Sequence, residues 1–179
     1  IGKALMLKAV ERTIELGWPR LDLHTWGGNT KAVPLYKKIG FFWEERDLEV
    51  YLVNFIPGVL KNELVKGFFN HADWYQDSTR EIQIEPDGRK ENDFTYFTYS
   101  WCIDDQSLEV EYERHGRGLR RINNNSFEIS ATVEGQKLVF GRSYRVCFDV
   151  RNKTDTPIAV DIRGFDDKNI AFDFAYSGK

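Results

Sequence analysis

The first sixteen positions repeat with the period of a helix. Ile1, Leu5, Ala9 and Leu16 fall on one side, Met6, Leu7, Val10 and Ile14 continue the same apolar arc, and Lys8, Glu11, Arg12 and Glu15 gather opposite. Such a stripe predicts an amphipathic helix laid on a sheet. Gly17 is a natural stop, and Pro19 follows it. Residues 21–26 are a short run of strand formers broken by Gly27, Gly28 and Asn29. A second, shorter helix is predicted through Ala32, Leu35, Tyr36 and Ile39, with Pro34 early, where a helix tolerates proline best, and Gly40 closing it. Strands are predicted at 41–43 and 48–56, joined by a charged turn. The order is helix, strand, helix, strand, strand.

Pro57 and Gly58 punctuate the chain, and residues 59–69 regain helical spacing through Val59, Leu60, Leu64, Val65 and Phe68. Residues 71–79 look like a connection, and a domain boundary is expected there. From 80 onward the period drops to two, in the runs 81–84, 107–112, 127–133, 144–150, 158–162 and 170–176. Turn signals separate them: Asp87-Gly88, the asparagines at 123–125, Glu134-Gly135 and the stretch 152–157. Strands at this spacing suggest an antiparallel sandwich. The fold expectation is therefore α+β with two domains. An α/β unit with a mixed sheet occupies 1–58, a helical linker 59–79, and an all-β antiparallel sandwich, able to fold by itself, 80–179. The last third of that sandwich weakly resembles an immunoglobulin-like module.

Composition narrows the function classes. With 179 residues, a net charge of −3, 41% apolar and 30% charged positions, the chain has the balance of a globular protein and no basic footprint for nucleic acid. No apolar run is long enough to span a bilayer, and the N-terminus runs straight into the amphipathic helix without a signal peptide. Aromatics reach 15% and are spread along the chain, which reads as core and strand content. Cys102 and Cys147 form no CxxC pair and read as ordinary thiols of a reducing, cytoplasmic compartment, with a disulfide between them as the alternative.

The chemistry concentrates in the string NTKAVPLYKKIGF, which holds Asn29, Ala32, Leu35, Tyr36, Gly40 and Phe41. It resembles the second CoA-proximal motif of the GCN5-related N-acetyltransferase superfamily: an Asn after a strand, a short helix with Ala and Leu-Tyr, then Gly-Phe opening the next strand. The preceding helix and strand match in order and length. The resemblance covers about a third of the chain, from 2 to about 56, and corresponds to the C-terminal half of that domain. It implies transfer of an acetyl group from acetyl-CoA to an amine by direct attack on the thioester. Tyr36 matches the tyrosine that protonates the departing thiolate. Asn29 can cap the second helix or contact the pantetheine arm, and Ala32 lines the same arm. Gly2 matches the final glycine of the pyrophosphate loop, whose backbone N–H groups meet the phosphates at a helix N-terminus.

The chain begins with Ile, and the rest of that loop and the strands before it lie outside it. The resemblance therefore implies a part of an acetyltransferase, inactive alone, that is completed by homodimerisation across the cut edge or by the missing N-terminal half. On that reading Leu5, Leu7, Val10 and Ile14 lie bare. The acceptor amine is not named by the motif. The competing class is a non-catalytic binding module whose sandwich recognises a protein or glycan partner.

Other candidates read as structural. His24, His71 and His115 lack ligand spacing, although His24 lies on the strand beside the motif and is the one with a possible proton-relay reading. Asp104-Asp105 and Asp166-Asp167 read as turn residues, without a calcium-loop pattern. Arg114, Arg117, Arg120 and Arg121 read as a strand edge protected by charge, or else as an anion-binding surface.

Overall fold

The computed structural model describes residues 1–46, 50–115, 118–135, 139, 141–164, 166, 171–172 and 175–178. The N-terminal elements follow the sequence reading. Helix α1 spans Gly2–Glu15, strand β1 Leu21–Thr25, helix α2 Ala32–Lys38, strand β2 Phe41–Glu44 and strand β3 Val50–Asn54. Helix α1 ends because Gly17 adopts φ +81°, which lets the Gly17 amide donate to the Ile14 carbonyl and the Trp18 amide to that of Thr13. Thr13 is buried in the helix interior because its hydroxyl donates to the Ala9 carbonyl at 2.8 Å.

The small sheet has the order β1-β3-β2, and both pairings are antiparallel. The expected mixed sheet is thus corrected. β1 and β2 run in the same direction, but β3 lies between them. All five residues of β3 are buried, and a strand so apolar needs neighbours on both edges and cover on both faces.

The expected helix at 59–69 is also revised. Helix α3 spans Ile56–Lys61 and stops at Asn62, whose side-chain oxygen accepts the Leu64 amide at 2.9 Å. This local turn competes with helix continuation. After it the chain turns through a short 3₁₀ helix at Phe68–Asn70.

Beyond residue 80 the sequence reading missed three strands. The large sheet is a six-stranded antiparallel meander of β4 (Arg89–Glu91), β5 (Phe94–Ile103), β6 (Gln106–Glu113), β7 (Gly118–Asn124), β8 (Phe127–Val133) and β9 (Val146–Asn152), in that spatial order. A separate hairpin pairs β10 (Val160–Arg163) with β11 (Ala175–Gly178). The run 81–84 joins no ladder. Of the expected strand 170–176, residues 171–172 lie in no strand, residues 175–176 belong to β11, and residues 170 and 173–174 lie outside the described residues.

The expected sandwich is therefore replaced by one sheet whose partner layer comes from the N-terminal elements. The chain is α+β, and among the described residues one hydrophobic core runs through both sheets. Phe42 of β2 stacks on Phe97 at 4.9 Å between ring centroids and meets Tyr99 edge-on at 4.6 Å. Phe55 stacks on Tyr112 at 4.5 Å. Aromatic pairs at such distances add to what area burial alone contributes. The stretch 71–79 is docked as well: Trp74 and Tyr75 pack on this core, the Trp101 indole donates to the Trp74 carbonyl at 2.8 Å, and Ser78 bridges Trp101. Of the helix residues expected to lie bare, Val10 is fully buried, Leu7 and Ile14 are half-buried, and Leu5 is 65% exposed. Among the described residues no helix is long and apolar enough to cross a membrane. Both cysteines are free thiols at exposed positions.

Tyr99 bolts the layers together. Its hydroxyl donates to the Gly40 carbonyl at 2.7 Å and accepts the Phe55 amide at 2.9 Å. Complete burial pushes its phenol up, so it remains a donor, and the neighbouring Tyr112 is pushed up to about 12 by burial. Tyr99→Phe leaves a buried carbonyl and a buried amide unpaired, at about 1–3 kcal/mol for each group. A urea melt of that variant is expected to show the loss without a change of slope.

Candidate functional site

The segment carrying the motif folds as strand, turn, helix, strand. β1 ends at Thr25, and the chain reverses through Trp26 to Thr30, where the Asn29 amide donates to the Trp26 carbonyl at 3.0 Å. The Asn29 side-chain amide donates to the Thr25 hydroxyl at 2.8 Å. Its backbone carbonyl, rather than its side chain, takes the first amides of α2, from Ala32 at 3.2 Å and Val33 at 3.1 Å. The side-chain cap expected of Asn29 is corrected accordingly, because Thr25 holds that group at the strand end.

Ala32 and Tyr36 lie one turn apart on α2 and are both half-buried, so they share a face. The Tyr36 ring meets Phe41 edge-on at 6.2 Å. Among the described residues its hydroxyl has no hydrogen-bond partner. Gly2 opens α1 and faces α2 closely: a Cβ there would stand 3.9 Å from the Leu35 side chain. The fold thus brings the start of α1 beside the helix that carries Ala32 and Tyr36.

The first turn of α1 suits an anion. It carries no acidic residue and is solvent-exposed, and its free amides and dipole favour negative charge. Lys3 adds a cation there, with its ammonium 4.6 Å from the Tyr75 ring centre.

What anchors α2 was not foreseen. Lys37 is fully buried, and its ammonium donates to the carbonyls of Gln83 at 2.5 Å and Glu85 at 2.8 Å and pairs with Asp87 at 3.1 Å. Arg80 pairs with the same Asp87 oxygen at 2.7 Å, donates to the Phe41 carbonyl at 2.5 Å, and lies 3.8 Å over the Phe42 ring. The other Asp87 oxygen accepts the Trp43 amide at 2.7 Å. Residues 80–87 are thereby strapped across α2 and β2. The signal lay in the helix period: Lys37 stands one turn after the buried Val33, a poor position for a solvated lysine.

The remaining candidates sort by position. His24 is exposed on β1 with its ring 4.7 Å from that of Tyr51, His71 is exposed, and His115 lies 3.1 Å from a Glu113 oxygen. Asp104 and Asp105 form the β5–β6 turn, with Asp104 at φ +48°. Asp166 accepts the Phe172 amide at 2.7 Å, and Asp167 lies outside the described residues. No group of three or more metal-ligating side chains occurs among the described residues.

The reading of the arginines as a protected strand edge is corrected. Arg120 and Arg121 lie on β7, an interior strand between β6 and β8. Arg121 reaches Glu109, Glu111 and Glu128 at 3.5, 3.7 and 3.4 Å, forming a charge ladder across three strands. Arg114 pairs with Glu44 at 3.2 Å, and Arg117 lies outside the described residues.

Comparison of the chain with protein-family models, with curated proteins and with solved structures gives no significant match in any of the three.

Proposed function

We propose that this chain contributes the C-terminal half of an acetyl-CoA-dependent N-acetyltransferase that acts on an amine. The observation that carries the reading is the seating of Gly2, at the start of α1, against Leu35 of α2, next to Tyr36. The order α1, β1, α2, β2, β3 supports it as well, since it is the element order that the motif brings with it.

Acetyl-CoA supplies the activated acetyl group as a thioester. The chain's own residues supply part of the site. The exposed amides at the start of α1, with Lys3, hold phosphate. Gly2 and Ala32, neither with a side chain beyond a methyl group, leave room along the helix pair. Asn29 keeps its side-chain oxygen available while its amide is tied to Thr25. The amine attacks the thioester carbonyl in its neutral form, the Tyr36 hydroxyl gives its proton to the sulfur as the carbon–sulfur bond breaks, and the proton that leaves the new amide nitrogen passes to water, from which the Tyr36 phenolate is reprotonated. A partner completes the site along β1, whose outer edge is unpaired among the described residues. The partner is either a second copy or the N-terminal half of the domain.

Calorimetric titration of the intact gene product with acetyl-CoA tests the reading, and saturable binding is the expected result. In that protein Tyr36→Phe is expected to lower kcat about a hundredfold with KM little changed, because the phenol acts on the leaving group. An unchanged kcat makes Tyr36 a packing residue. Absence of acetyl-CoA binding removes the acetyltransferase reading and favours the binding module. In favour of that second reading stands the outer half of the large sheet, where Phe148 and Val150 are exposed.

A further inference from the structure

The large sheet ends differently on its two sides. At one edge β4 has only three residues, Arg89, Lys90 and Glu91, all exposed and charged. A short charged strand is how sheets refuse further pairing. At the other edge β9 has seven residues, six of them exposed.

The apolar rows explain what is unusual about β9. One row crosses the sheet through Tyr99, Val110, Ile122, Ile129 and Val150. Its first three members are 1% exposed under the N-terminal layer, whereas Val150 is 39% exposed. The next row ends in Ala131 and Phe148, and Phe148 is 42% exposed. Among the described residues the core face therefore runs out past its cover to an open edge. On the opposite face β9 carries Asp149 and Arg151, opposite in sign and two positions apart.

We propose that β9 is a self-association edge, and that a second copy of the chain pairs with it antiparallel about a two-fold axis through Val150. Charge favours this register, in which both Asp149 and Arg151 find an opposite charge, whereas an axis at Cys147 pairs only Asp149, with Arg145, and leaves Arg151 opposite Ser143. Opposite residues in an antiparallel pair share a face, and like charges directly opposite repel. With the axis at Val150, Asp149 of each copy stands opposite Arg151 of the other, twice over, and the two Val150 side chains meet. With the axis at Asp149 the two aspartates oppose each other. With the axis at Phe148, Arg151 falls opposite Arg145 of the other copy. Pairing satisfies the outward amides and carbonyls of both strands and forms one continuous sheet of twelve strands, twice the six of one copy. This edge is independent of the acetyltransferase reading and of any pairing along β1.

The test uses the full chain and its molecular mass in solution, by sedimentation at tens of micromolar. The wild type is expected to be dimeric. Asp149→Arg and Arg151→Asp each place like charges opposite one another across the edge and are expected to be monomeric while keeping a cooperative melt; Arg151→Asp also faces Glu128 of its own chain and is expected to melt lower than Asp149→Arg, which faces Ser130. An equimolar mixture of the two single variants restores both opposite-charge pairs and is expected to regain the dimer mass, as is the double variant that exchanges the two residues. A monomeric wild type overturns the proposal. So does a dimer indifferent to either single variant, which places the interface elsewhere, for instance along β1. Single variants that stay monomeric when mixed overturn the register.

Discussion

Asp87→Ala is expected to destabilise the protein by about 3–5 kcal/mol, the range for removing one partner of a buried ionic group. The carboxylate neutralises two cations, Lys37 with no exposed side-chain surface and Arg80 with 9%. It also accepts the part-buried Trp43 amide, which loses that acceptor in the variant. Removing it leaves two charges in a region too dry to hold them. The gain of the pair itself is beside the point, since burying ions is costly and the bridge largely offsets that cost. The expected contrast is therefore with Lys37→Met, which removes one charge and keeps the Arg80–Asp87 pair. That variant is expected to lose much less, although Gln83 and Glu85 lose a donor. For a chain of this size each kcal/mol moves Tm by about 2–4 °C, so thermal melts of the two variants separate clearly. Equal losses would mean that the carboxylate and the ammonium act as one unit.

A fragment comprising residues 80–179 is expected not to fold on its own, despite its sandwich-like strand spacing. One face of its sheet carries Phe97, Tyr99, Trp101, Leu108, Val110 and Ile122, each 1% exposed in the whole chain. Much of that cover comes from the N-terminal layer, through Phe42 and Phe55. Leaving such side chains in water costs roughly 1.5–3 kcal/mol each, and five or six together match the entire stability of a typical domain, about 5–15 kcal/mol. Circular dichroism of the fragment should show no cooperative melt. Limited proteolysis of the full chain should spare residues 71–79, where the Trp101 indole holds the Trp74 carbonyl. A stable fragment with a sharp transition would show that the sheet covers its own face by another route.

These two outcomes turn on features that sequence patterning read unevenly. α1, β1 and α2 were legible because each combines a clean period with a stop signal at Gly17, Gly27 or Gly40. β5 was not. Phe94–Ile103 interleaves Tyr, Thr and Ser with Phe and Trp, and aromatics with hydroxyls blur an apolar–polar alternation even though they suit a half-buried pleat. β7 was hidden for the opposite reason. Its Arg120, Arg121, Asn123 and Asn124 read as polar edge or loop, while the acidic neighbours that neutralise Arg121 come from β6 and β8 and are invisible locally. The choice of partner layer was out of reach altogether, since a strand's inward face does not specify whether a second sheet or an α/β layer meets it. At the candidate site the helix and its Tyr36 followed from the motif. The strap through Lys37, Asp87 and Arg80 joins positions more than forty residues apart and depends on tertiary contact alone.

That strap and the aromatic stack also set an order of events during synthesis. The Tyr99 hydroxyl meets the Gly40 carbonyl across 59 residues, and Phe55 awaits Tyr112. The ribosome extends a chain by about 5–20 residues per second, so the finished N-terminal layer stands outside the exit tunnel for several seconds before its cover arrives. Contacts of such long range also slow folding, since the loop must close before they reward it. In that interval the nascent chain carries Phe42 and Phe55 without the aromatic partners that later cover them.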